Sequence, residues 1–414
     1  MSREMKDSGV EWIGETPKNW KTIRGKYIFQ YIQKPIKDSD CVITCFRNGE
    51  VTLRSNRRED GFTISSKEIG YQGIDIGDLV IHGMDGFAGA IGISDSRGKA
   101  SPVLIVLETN NNKRYLMYYL RIMAYTDVFL ATTTGIRVRS CDLRWNKLAE
   151  LFYPIPPLNE QRKIVSYVDL KCSQIDFLIA DITKEIELLK EYRKSVIYEA
   201  VTKGLDPKVE MKDSGIECIG YIPKHWNLVK LKYVSKIRTQ KYDTKLGQLE
   251  YFGLENISGW NSEFIKTENE YKLEDSIICH SNDVVLGKLR PYLAKVYLVK
   301  KLCCCSSEFA VFYDFYGLPN FYKYLFISHG FINDVDSSTY GTKMPRANID
   351  YINNMLVPIP SFSDQEKIIS FLDSKCLEID SVVSEKQQQI DKLTEYKKSL
   401  IYEYVTGKKE VLHV

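Results

Sequence analysis

The segment "MKDSGVEWIGETPKNW" at residues 5–20 returns as "MKDSGIECIGYIPKHW" at residues 211–226, with eleven of sixteen positions identical. A longer segment, "PIPPLNEQRKIVSYVDLKCSQIDFLIADITKEIELLKEYRKSVIYEAVT" from Pro154, returns 204 residues later from Pro358 as "PIPSFSDQEKIISFLDSKCLEIDSVVSEKQQQIDKLTEYKKSLIYEYVT". A repeat of this length makes the 414-residue chain two copies of one plan, and no other feature restricts the fold as much. The expected division is a first globule over 1–155, a first helix over 156–204, a second globule over 205–359, a second helix over 360–408 and a tail over 409–414.

In both long segments apolar residues step alternately by three and four, from Val165 through Cys172, Ile179 and Ile186 to Ala200, and from Ile369 through Cys376, Val383 and Ile390 to Tyr404. That is a heptad seam. A helix of about 45 residues, roughly 65 Å long, has too narrow a stripe to bury by itself, so the two copies are expected to pack on each other. The repeat suggests an antiparallel coiled coil with a pseudo-two-fold internal repeat. Arg193, Lys386 and Lys397 interrupt the seam and are expected to fix its register at some cost in stability. Asn159 reads as the first N-cap, Ser363 with Glu366 as a capping box, and Gly204 and Gly407 as the stops.

Between these frames the halves diverge into short β-rich runs such as "PVLIVLE" and "EFAVFYDF", broken by Gly, Asn and Asp. The expected class is α+β, with two mixed α/β globules of mostly twisted sheet. "IGDLVIHGM" aligns with "SNDVVLGKL", and "TTTGIRVR" with "SSTYGTKMPR".

A net charge of +3 says little, but its distribution says more. Residues 284–302 hold Lys288, Arg290, Lys295, Lys300 and Lys301 with no acid, and residues 21–60 hold nine Lys/Arg against five Asp/Glu. Reading duplex DNA takes cations for phosphates and Arg, Lys, Asn or Gln for base edges. Candidates in the first globule are Arg47, Asn48, Arg54, Arg57, Arg58, Arg137 and Arg139, and in the second Arg238, Lys241, Lys288, Arg290, Tyr292, Lys343 and Arg346.

The segments "WIGETPKNW" and "CIGYIPKHW", "LRPYL" at 289–293, and "PIPPLNEQRKIV" and "PIPSFSDQEKII" before the helices together resemble the specificity subunit of Type I restriction-modification systems. The resemblance spans essentially the whole chain. It implies that each globule is a target recognition domain reading one half of a bipartite, asymmetric double-stranded DNA site. It further implies that the paired helices dock two modification (methyltransferase) subunits, with restriction (endonuclease and translocase) subunits joining the complex. "LRPYL" has no counterpart in the first globule, where "HGMDGF" stands instead.

Catalytic classes find little support in the residues. "HGMDGFAGAIG" lacks the spacing of a dinucleotide fingerprint, and the Asn/Asp-Pro-Pro-aromatic pocket of a base methyltransferase is missing. His82, His225, His280, His329 and His413 form no H-x-x-x-H pair, and Cys41 with Cys45 lacks a second pair at zinc spacing. Glu160 and Gln161 suit a helix dipole and a docking surface. The expectation is a non-catalytic cytoplasmic chain without cofactor or metal. The competing class is a coiled-coil scaffold with two protein-binding globules and no nucleic-acid role.

Overall fold

The computed structural model describes residues 3–57, 68–131, 143–267, 273, 275–341 and 343–411. Two compact units form, Met1–Asp181 with Gln389–Val414 (unit 1), and Ile182–Gln388 (unit 2). The long helices are Leu158–Lys203 and Phe362–Val405, and both cuts fall inside them.

Within unit 1 the two helix portions pack antiparallel: Tyr404 reaches Tyr167 (hydroxyl to hydroxyl, 3.2 Å), and further from the end Lys397 Nζ meets Asp176 at 2.6 Å. Unit 2 shows the same sense, with Lys386 paired to Glu185 and Arg193 Nε 3.1 Å from Asp380. Every seam position from Val165 to Ala200 and from Ile369 to Tyr404 is buried or half-buried. All three polar seam residues thus find an acid on the other helix. Lys386 and Lys397 pair with acids that are more than half exposed, and such pairs add less than about 1 kcal/mol, so they act mainly on register. Arg193 is buried, and losing Asp380 would strand its charge.

Each unit is built on one four-stranded antiparallel sheet. In unit 1 the order is Gln30–Ile32, Leu104–Glu108, Leu79–His82, Ile91–Ile93, and in unit 2 it is Lys236–Arg238, Phe309–Tyr313, Val284–Gly287, Val296–Leu298. Side chains alternate between two cores. Leu79, Ile81, Ile105 and Leu107 face the helix Lys113–Tyr125 and the long helices, whereas Val80, Leu104 and Val106 face a smaller core with Ile43 and Val51. Unit 2 repeats this, with Val284, Leu286 and Phe312 on the helical side and Val285, Phe309 and Val311 against Phe252 and Cys305. The aligned runs "IGDLVIHGM" and "SNDVVLGKL" lie on the same strand of the two sheets.

A few residues set this shared frame. Buried Asp78 accepts the backbone N–H of Asp75, and buried Asp283 that of His280, each at 2.8 Å. Gln161 and Gln365, both almost fully buried, accept the backbone N–H of Asn112 and Leu318 and donate to the carbonyls of Pro156 and Pro360. Gln161 is therefore an internal pin between a long helix and the N-cap of the globule's helix, and lends nothing to a docking surface. The second helix is capped by Ser361, whose Oγ accepts from Asp364 N, rather than by Ser363. The first helix starts at Leu158, one residue before Asn159. Cys172 and Cys376 are core residues of the helices. Among the described residues no helix is long and apolar enough to cross a membrane.

Candidate nucleic-acid interface

In unit 2 the strand Val284–Gly287 turns back into Val296–Leu298 through Lys288–Lys295. Arg290 (φ +52) and Ala294 (φ +48) flank a tight turn at Pro291–Leu293, both in the left-handed region. That geometry costs a non-glycine residue about 1 kcal/mol or more, so the loop must be held by its surroundings. Lys288 N donates to Glu308 O, Arg290 N to Pro345 O, and Ala347 N to Lys288 O, while Leu289 bridges Arg346. These bonds bring Lys288, Arg290, Tyr292 and Arg346 into one neighbourhood, with exposed Lys343 three residues before Arg346.

Arg346 makes a forked pair with Glu308 (Nη2 2.8 Å, Nε 3.1 Å), and the two line an open cleft of about 550 Å³ with Lys288 and Tyr340. The Arg346 hydrogen bonds, aided by the charge of Lys288, hold the Glu308 carboxyl below the usual range. The guanidinium of Arg290 has no hydrogen bond or ion pair among the described residues, and Tyr292 is exposed beside it. A free cation, an exposed ring and a fixed guanidinium are suited to phosphate and base-edge contact. The other two candidates point elsewhere. Arg238 forks onto buried Asp283 (2.9 and 3.1 Å) and lies 4.2 Å from the Tyr313 ring centre, and Lys241 pairs with Asp275 at 2.6 Å.

Unit 1 has a hairpin loop of the same length, Gly83–Ala90, anchored by the same bonds: Gly83 N to Val103 O, and Leu143 N to Gly83 O. Its chemistry differs. "GMDGFAGA" carries one acid and no base, and the cleft of about 480 Å³ beside it is lined mainly by apolar side chains, Met84, Val103, Leu143 and the stacked pair Tyr31 and Trp145, with Arg144 on its wall. The glycines admit a neighbouring turn. A Cβ on Gly89 would lie 2.9 Å from Arg47 O, and one on Gly92 would lie 1.9 Å from Gly49 O. The turn seated there carries Arg47, Asn48 and Glu50. Arg47 pairs with Asp85 at 2.8 Å, Arg57 Nη1 reaches Asn48 Oδ1 (3.4 Å) and lies over Phe46, and Arg121 Nη2 donates to Asn48 O. Arg54 Nε donates to Thr44 Oγ1 and is half-buried. Arg58, Arg137 and Arg139 lie outside the described residues. Sequence reasoning missed Arg121 and Glu308, whose sites in a helix and in the turn before a strand give no sign of a partner 73 or 38 residues away.

Residues 223–393 match the model of the Type I restriction modification DNA specificity domain. The Type I restriction enzyme MjaVIII specificity subunit of Methanocaldococcus jannaschii is 27% identical over 338 residues, covering 75% of this chain and 74% of the relative. The chain is thus similar to the specificity subunits of Type I restriction-modification enzymes. Two solved structures share its fold over 95% of the chain. A chain from work on complex assembly and conformational transition of the type I R-M system is similar over 95% of this chain and 99% of its own length, with a TM-score of 0.69 at 14% identity. The HsdS subunit from Thermoanaerobacter tengcongensis is similar over 95% and 98%, with a TM-score of 0.51 at 13% identity. The match to the family model covers the charged loop of unit 2 but not its glycine-rich counterpart in unit 1.

Proposed function

We propose that this specificity subunit reads a bipartite, asymmetric site on double-stranded DNA, one half through residues 21–150 and the other through residues 227–354. The observation that carries this is the placement of two chemically different hairpin loops, Gly83–Ala90 and Lys288–Lys295, at the same point of two equivalent sheets. In the second half the reading residues are Lys288, Arg290, Tyr292, Lys343 and Arg346, with Lys241 on phosphate and Arg238 bracing the strand. In the first half they are Arg47, Asn48, Arg54 and Arg57, joined by Arg58, Arg137 and Arg139.

Segments 1–155 and 205–359 serve as the target recognition domains, 156–204 and 360–408 as the helices between them, and 409–414 as a tail. The helices dock two modification subunits, with restriction subunits completing the complex. Exposed Leu170 and Phe177 in unit 1 and Leu188, Phe371 and Leu377 in unit 2 provide apolar contacts for such partners. The chain itself transfers no methyl group and cuts no DNA.

The test is a reconstitution. Purified chain mixed with duplex and methyl donor should give no methylation until modification subunits are added, and sequencing the methylated bases should then reveal two unlike half-sites. Affinity for duplex should fall steeply with salt, which separates this reading from a protein-only scaffold. Methylation by the chain alone, or binding indifferent to salt, would contradict it.

A further inference from the structure

The repeated tryptophans Trp20 and Trp226 are both buried, but their surroundings differ. In unit 1, Arg3 fills a notch beside Trp20. Its guanidinium pairs with Glu160 in the first turn of a long helix, reaches Asn19 Oδ1 at 3.3 Å and lies 5.2 Å from the Trp20 ring centre. With Glu160 drawn to Arg3, the Trp20 indole N–H has no acceptor among the described residues.

In the second copy Asp364 stands for Glu160, His225 for Asn19 and Val209 for Arg3. Valine cannot supply the cation, and a notch of about 300 Å³ stays open, lined by Gly204, Val209, His225, Trp226, Asp364 and Lys367. Asp364 turns instead to Trp226 Nε1 (3.3 Å) and His225 Nε2 (3.2 Å). Being one methylene shorter than Glu160, it leaves the recess deeper. Lys203 on the wall is turned toward Glu199 at 3.4 Å, and Lys163, the counterpart of exposed Lys367, does not keep Arg3 out of the unit 1 notch.

We propose that the unit 2 notch receives one arginine side chain from a partner protein, in the place that unit 1 fills with its own Arg3. A planar guanidinium can lie over an indole and fork onto a carboxylate at once, which the ammonium of lysine cannot do. Asp364 in the recess repels phosphate, so the occupant belongs to a protein rather than to the DNA backbone. The inference rests on the reading that the chain assembles with modification subunits, and it assigns one contact of that assembly.

Two substitutions in the full chain test it. Asp364→Asn keeps an acceptor for Trp226 but removes the charge, and Val209→Arg supplies the arginine from within, closing the notch. Each is expected to weaken association with modification subunits by about tenfold or more, the loss of one charge-assisted hydrogen bond, without lowering the melting temperature of the free chain. Independently, in the chain labelled with 5-fluorotryptophan, the fluorine resonance of Trp226, assigned with Trp226→Phe, should shift on addition of N-acetyl-arginine amide. N-acetyl-lysine amide should not move it, and the Trp20 resonance should respond to neither. If the native chain assembles and both variants assemble equally well, or if the arginine and lysine probes act alike on Trp226, the proposal is overturned. If the native chain does not assemble at all, the partner reading fails, and the fluorine titration still decides whether the notch takes a guanidinium.

Discussion

Unit 1 and unit 2 run the same strands in the same order, yet the eight residues of their equivalent hairpin loops are "GMDGFAGA" in one and "KLRPYLAK" in the other. Unit 2 carries its cations on the loop. Unit 1 leaves the loop uncharged by any base, has Gly89 in the loop and Gly92 in the strand after it, and seats against them a second turn that carries Arg47 and Asn48. The frame tolerates such divergence because the residues that fix it bind backbone groups. Asp78 and Asp283 hold N–H groups of their own turns, and Gln161 and Gln365 hold helix-cap N–H groups and proline carbonyls. A backbone partner is still present after the side chains around it have changed.

The comparison breaks most visibly at the tryptophans. Trp20→Ala and Trp226→Ala should each cost about 3–5 kcal/mol, as buried aromatic truncations do, and each loss should be confined to its own unit when read by hydrogen exchange. A single substitution that loosened both units equally would mean that they do not share one frame twice but form one cooperative body.

The aspartates sharpen the contrast. Asp283→Asn leaves the Arg238 guanidinium half-buried without its acid, at a cost of about 3 kcal/mol in denaturant unfolding. Asp78→Asn should cost roughly half as much, because Lys34 keeps Asp75 at 2.8 Å. Equal losses would show that the extra ion pairs of unit 1 do not substitute for one another.

A smaller effect is expected on DNA. Arg290→Ala should lower affinity for the cognate duplex by about 1–3 kcal/mol and relax discrimination in one half-site only, measured on duplexes altered in either half. Arg238→Lys should lower stability more than it changes sequence preference, since Asp283 already engages the guanidinium.

The smallest effect is in acid. Hydrogen bonds from Lys34 and Arg97 hold the Asp75 carboxyl at about 2, and Arg97 holds Asp40 low as well. These carboxylates favour the folded state while ionised, so their contribution is complete above the ordinary carboxyl value of 3.8 and is lost as pH falls through about 2. Pepsin cleavage within unit 1 should rise across that window. Cleavage that begins only in unit 2 would place the acid-sensitive bonds elsewhere.

The long helices were legible because a heptad stripe is local and their repeat is nearly verbatim, and Arg193, Lys386 and Lys397 stood out as breaks in it. The sheets were legible as β-rich runs but not in their order, since pairing Leu104–Glu108 with both Gln30–Ile32 and Leu79–His82 depends on backbone bonds across dozens of residues. Gln161 looked like a surface residue because its partner, the N–H of Asn112, lies 49 residues upstream. The glycines of "HGMDGFAGAIG" were legible only as lacking the dinucleotide spacing, and the sequence could not say that they make room for the Arg47–Gly49 turn. Lys288, Arg290 and Arg346 were legible as cations. Their meeting through the Leu289–Arg346 bridge was not.

The most direct test of one frame bearing two separate reading surfaces is an exchange of residues 21–150 for the corresponding globule of a Type I specificity subunit with a different target. The hybrid is assembled with its modification subunits, and the methylated bases are sequenced across a genome. One half-site should change to that of the donor while the other keeps its sequence. A change in both halves, or in neither, would contradict the account.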